Sequence, residues 1–101
     1  MSTVWLQEQT WSDIETYLKE DDRILLPIGS TEQHGRFAPL GTDTYVAIAL
    51  AEDVSAELGV LVAPPLWYGW SPHHLVQPGT VSVRAEVLIE VLFDTIESLA
   101  R

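Results

Sequence analysis

The chain has no cysteine among its 101 residues, which excludes disulfides and thiolate metal sites. Basic residues are scarce, five against fifteen acidic ones, for a net charge of −10. A nucleic-acid-binding face needs clustered Lys and Arg, and docking on anionic lipid needs the same, so neither partner is expected. The acidity reads as a solubility feature. No apolar run approaches the roughly 20 residues of a membrane span, and no basic segment followed by an apolar one opens the chain. The expected location is the cytoplasm, with no membrane partner.

What is present is material for a core: 47% of residues are hydrophobic, in a length suited to one small domain. Residues Thr10 to Lys19 read as a short helix, with Ser12 and Glu15 spaced as a capping box. Arg23 to Ile28 reads as a strand, and Pro27 marks an edge or a strand end. A helix is expected from Asp43 to Leu58, its apolar positions being Val46, Ile48, Ala49, Leu50, Val54 and Leu58, with Gly59 as its stop. Val60 to Ala63 reads as a buried strand ended by Pro64-Pro65, followed by an irregular stretch from Leu66 to Thr80. A last helix spans about Val83 to Ala100, its apolar stripe made of Leu88, Val91, Leu92, Ile96 and Leu99. This alternation indicates an α/β fold with a mainly parallel sheet. Two strands make an incomplete sheet, so the chain reads as part of a larger domain or as a subunit completed by another chain.

The densest chemistry lies between Gly29 and Asp43, after the first strand, where an open α/β sheet places its sites. Glu32 and His34 are two apart, and in extended backbone such residues project to one side. Asp43 stands at the start of the next helix, able to face the same cleft. Mixed oxygen and nitrogen donors suit Zn²⁺ or Mn²⁺. The plainer alternatives are a loop imidazole bonded to backbone for His34 and a simple helix cap for Asp43. His73 and His74 are adjacent, so in an extended loop they diverge and at most one faces the site. Trp67, Tyr68 and Trp70 either wall a pocket for a flat ligand or cap the core. Trp5 and Trp11 read as packing residues, and Pro78-Gly79-Thr80 as a turn.

Taken together, Leu26-Pro27-Ile28-Gly29-Ser30-Thr31-Glu32-Gln33-His34-Gly35, Pro39-Leu40-Gly41-Thr42-Asp43-Thr44, Pro64-Pro65-Leu66-Trp67-Tyr68-Gly69, and His74 followed by Pro78-Gly79-Thr80 resemble the creatininase (creatinine amidohydrolase) family. The resemblance covers most of residues 23 to 82. It implies a three-layer α/β sandwich, of which residues 1–101 form the N-terminal portion. It implies a hydrolase of C–N bonds in small cyclic or linear amides, with two divalent ions, Zn or Mn or else Fe. By this resemblance Glu32 and His34 are terminal ligands, Asp43 bridges the ions and His74 is catalytic; Tyr68 and Trp70, as pocket-wall aromatics, are the expected substrate contacts. It also implies a homo-oligomer and further ligands from a C-terminal half or a companion chain. Phe37 and His73 depart from the family pattern, which commonly has His and an acidic residue there. The alternatives are a non-catalytic binding or regulatory subunit and a deformylase of the same family.

Overall fold

Two short apolar runs pair to make the sheet. β1 (Ile24–Leu25) and β2 (Leu61–Val62) lie parallel, Ile24 opposite Leu61 and Leu25 opposite Val62, in a computed structural model that describes residues 3–101. Both strands are shorter than the sequence predicts. Pro27, Pro64 and Pro65 have no N–H to give, so the regular ladder stops and single bonds continue it. Ala63 N–H donates to Leu25 O at 2.8 Å, Leu66 N–H to Pro27 O at 3.0 Å, and Gly29 N–H to Leu66 O at 2.9 Å. On the other side of β2, Trp5 bridges Val62, whose N–H donates to Val4 O at 2.8 Å. Val60, Leu61, Val62 and Ala63 are therefore buried from every side and form most of the core. Full burial is worth roughly 1.5–3 kcal/mol for each large aliphatic side chain.

The helices divide between the two faces of this sheet. α1 (Trp11–Tyr17) packs on the Ile24–Leu61 face, where Ile14, Leu18 and Leu99 line a small cavity with them. Its cap is Thr10 with Asp13, not Ser12 with Glu15. Thr10 Oγ1 accepts from Asp13 N–H at 3.2 Å, and Asp13 Oδ2 accepts from Thr10 N–H at 2.9 Å. Tyr17 fastens the helix to both strands, its hydroxyl donating to Arg23 O at 2.6 Å and accepting from Leu61 N–H at 3.3 Å. Trp11 does not pack as expected: it is 79% exposed, while Trp5 is half-buried.

α2 (Thr42–Leu58) covers the opposite face and stops at Gly59. Its buried residues are Thr44, Ala51 and Ser55, all small, which lets the helix approach β2 closely. Val46, Leu50 and Leu58, expected to turn inward, are each more than half exposed. α3 (Ala85–Leu99) leaves its expected stripe only partly covered. Leu88, Leu92 and Leu99 are half-buried, but Val91 and Ile96 join Ile89 and Phe93 in solvent. The apolar positions thus form two faces, one of them uncovered. Among the described residues no helix is long and apolar enough to cross a membrane.

Candidate metal centre

The loop after β1 is pressed against the start of α2 by one close backbone approach. A Cβ on Gly29 would stand 2.0 Å from Thr44 Oγ1 and 2.5 Å from Thr44 Cα, distances no side chain tolerates. Thr44 is fully buried, and its hydroxyl donates to Ser30 O at 3.1 Å. These contacts set Asp43, the residue before Thr44, beside the loop. As the second residue of α2, Asp43 also sits in the positive end of the helix dipole.

Asp43 Oδ2 accepts from Ser30 Oγ at 2.9 Å and pairs with His34 Nε2 at 3.0 Å. The Ser30 bond holds the Asp43 carboxyl below the usual carboxylate range; partial burial opposes the shift and the His34 bond adds to it. Glu32 is fixed at both ends. Its N–H donates to Leu40 O at 3.0 Å, and its Oε2 accepts from the hydroxyl of Ser71, which is itself buried. Ser71 N–H in turn donates to Ser82 Oγ at 2.8 Å.

Glu32, His34 and Asp43 each present one ligand atom, and the three atoms lie within 4.8 Å of one another. Ligand bonds of about 2.1 Å put two donors of one ion at most roughly 4.2 Å apart, so a spread of up to 4.8 Å suits donors that close slightly on one cation or divide between two. The donor set fits as well: two carboxylates and an imidazole are the ligands of Zn²⁺ and Mn²⁺ sites. The His34–Asp43 hydrogen bond spans the place a cation would take, so binding there would replace that bond with two ligand contacts.

His74 stands at the rim of this cluster. The segment is not extended, as the sequence reading had it; Pro72–His74 forms a 3-10 turn, with Pro72 opening it. The two imidazoles therefore do not diverge, and their centroids are 4.1 Å apart. His73 is exposed, while His74 turns inward, Nε2 at 3.9 Å from Glu32 Oε1 and Nδ1 at 2.7 Å from Gln33 Nε2. Tyr68 and Trp70 flank the buried Gly69 and are each more than half exposed, outside the hydrogen-bonded cluster. Trp67 packs edge-on against Tyr45, centroids 5.4 Å apart, and its carbonyl accepts from Thr31 Oγ1 at 2.7 Å.

Three residues of this centre escape a reading of spacing alone. Ser30 and Gln33 sit within the motif, but nothing local assigns them partners. Ser71 meets Glu32 across 39 positions, a contact with no local signal.

Comparison with known proteins gives the family. The family model for creatininase, described as creatinine amidohydrolase, matches residues 7–101. The 3-dehydro-scyllo-inosose hydrolase of Thermotoga maritima is 45% identical over 94 residues, covering 92% of this chain and 30% of that protein. The mycofactocin precursor peptide peptidase of Mycolicibacterium smegmatis is 46% identical over 71 residues, covering 64% of this chain and 29% of that protein. A crystal structure of creatininase superposes with a TM-score of 0.91 at 33% identity, over 100% of this chain and 41% of the other. Matching creatininase structures also include a manganese form and, as a mutant, a Zn–Zn form. The chain thus spans less than half the length of the relatives it matches. With the motifs, the α/β architecture and the matched family model in agreement, this chain belongs to the creatininase family.

Proposed function

We propose that this chain supplies part of the metal site of an amidohydrolase that cleaves a C–N bond in a small cyclic or linear amide. The observation that carries the reading is the convergence of Glu32, His34 and Asp43 ligand atoms within 4.8 Å in a creatininase-family chain. Glu32, His34 and Asp43 would hold the metal, Glu32 and His34 as terminal ligands and Asp43 as a carboxylate able to serve two ions. Divalent zinc or manganese, the metals of the solved relatives, or iron in their place, would acidify water and polarise a carbonyl there.

The chain's own residues prepare the site. Ser30 and Ser71 hold the Asp43 and Glu32 carboxylates in position before any cation arrives. His74 moves a proton through Nε2, the ring nitrogen turned toward Glu32. Tyr68 and Trp70 provide the substrate-facing aromatic surface. Residues 1–101 are the N-terminal portion of one creatininase-like domain in a cytoplasmic homo-oligomer. The remaining ligands come from a C-terminal half or a companion chain.

Elemental analysis of the purified protein, with amine or ammonia release from a panel of amides, tests this. Bound zinc or manganese with turnover, both lost in Asp43→Ala, is the expected result. Metal retained in Asp43→Ala would remove the ligand assignment. Metal without turnover would support a second reading, a binding or regulatory subunit.

A further inference from the structure

Gln33 is anchored at its backbone and at both ends of its side-chain amide. Its N–H donates to Thr80 Oγ1 at 3.0 Å. Gly35, at φ 74, turns the chain back so that its N–H donates to Gln33 Oε1 at 2.9 Å. Reversing the amide would set Nε2 against that N–H, donor to donor. The NH₂ end must therefore be the one that faces His74 Nδ1 at 2.7 Å. An amide nitrogen donates and cannot accept, so Nδ1 has to offer its lone pair. In a neutral imidazole the proton is then on Nε2, which lies 3.9 Å from Glu32 Oε1.

We infer that Gln33 is a positioning residue that fixes the tautomer of His74, keeping Nδ1 bare and directing the Nε2 proton toward Glu32. Its consequence for turnover rests on the amidohydrolase reading above; the tautomer itself does not. A donor held on Nδ1 sets both the ring orientation and the nitrogen that exchanges protons. Gln33 acts only through His74 and through no contact with a ligand oxygen.

The test is nitrogen-15 NMR of the His74 ring in the full chain, in whatever assembly it purifies, with His74→Gln identifying the signals. In the wild type Nδ1 should be unprotonated and Nε2 protonated; a protonated Nδ1 overturns the inference. Gln33→Glu replaces the donor with an acceptor and should move a proton onto Nδ1. If Nδ1 stays bare in that variant, Gln33 does not control the tautomer. Gln33→Met keeps the side-chain length without the amide, and serves if Gln33→Glu does not fold. With metal content unchanged, its kcat should fall roughly 10- to 100-fold while KM holds, the range seen for partners that orient a site residue. An unaltered kcat in Gln33→Met sinks the positioning role. Wild-type protein with the expected tautomer but no hydrolysis would instead overturn the function and leave the tautomer assignment standing.

Discussion

His34 Nε2 lies 3.0 Å from Asp43 Oδ2, joining the loop after β1 to the first turn of α2. That bond holds two donor atoms where a cation would replace it with two ligand contacts. Asp43→Ala removes one donor and frees the other, so metal affinity should drop more than the roughly 10- to 100-fold typical of losing an outer-shell partner. Equilibrium dialysis with elemental analysis measures it. Wild-type affinity in Asp43→Ala would mean that His34 and Asp43 form only a structural pair.

Ser30 contributes most to the lowered pKa of Asp43. A carboxylate whose folded pKa is depressed adds stability that is present above its unfolded value, near 3.8, and is lost as pH falls through the folded one. In the metal-free protein Ser30→Ala should raise the Asp43 midpoint toward 3.8 and cost about 1 kcal/mol at pH 7, because Asp43 is partly solvated. The difference between variant and wild type should vanish once pH falls below both midpoints. Urea melts at pH 7 and near pH 2, with an NMR titration of the carboxyl, check it; a midpoint unmoved by the substitution refutes the Ser30 contribution.

Gly29→Ala should damage both the fold and the metal centre. The new methyl would fall 2.5 Å from Thr44 Cα, and backbone cannot swing aside as a flexible side chain can. Overpacking of this kind costs roughly 1–3 kcal/mol. The start of α2 would have to retreat from the loop, carrying Asp43 away from Ser30 and His34. A thermal melt and a metal titration on the same sample would show the two losses together. Wild-type values in both would mean that the approach of α2 is not held by Gly29.

His74→Ala should lower turnover about 10²- to 10⁴-fold, the usual contribution of a positioned acid or base. His73→Ala should remain near wild type, since His73 is exposed and only its neighbour reaches Gln33 and Glu32. Steady-state kinetics on both variants decides the matter. Equal, large losses would mean that the 4.1 Å pairing of the two rings is what the site requires.

The candidate site was more legible than the packing. Glu32, His34 and Asp43 lie within twelve residues of one loop, so local spacing could propose them. Ser71 reaches Glu32 only because the sheet brings the loops together, and no local pattern encodes that. The backbone before His74 departs from expectation locally: Pro72 opens a 3-10 turn in place of extended chain. The helix faces are less legible for a different reason. Size does not set burial on α2: Thr44, Ala51 and Ser55 are inside because small residues let α2 approach β2. Val46 and Leu50 were displaced outward by that choice.

The uncovered apolar faces predict association when residues 1–101 are expressed alone. On α3, Ile89, Phe93 and Ile96 recur at helical spacing and are each more than half exposed; on α2, Val46 and Leu50 are as well. Covering one large aliphatic or aromatic side chain is worth roughly 1.5–3 kcal/mol, against a typical domain stability of about 5–15 kcal/mol. Such a surface is unusual on a monomer. The chain should therefore bind a hydrophobic dye, sediment with concentration-dependent mass and hold metal weakly. Phe93→Asp with Ile89→Lys should reduce the association without touching Glu32, His34 or Asp43. A monomeric mass with a cooperative melt and two tightly held ions in the unmodified chain would show instead that this length of the fold sustains itself.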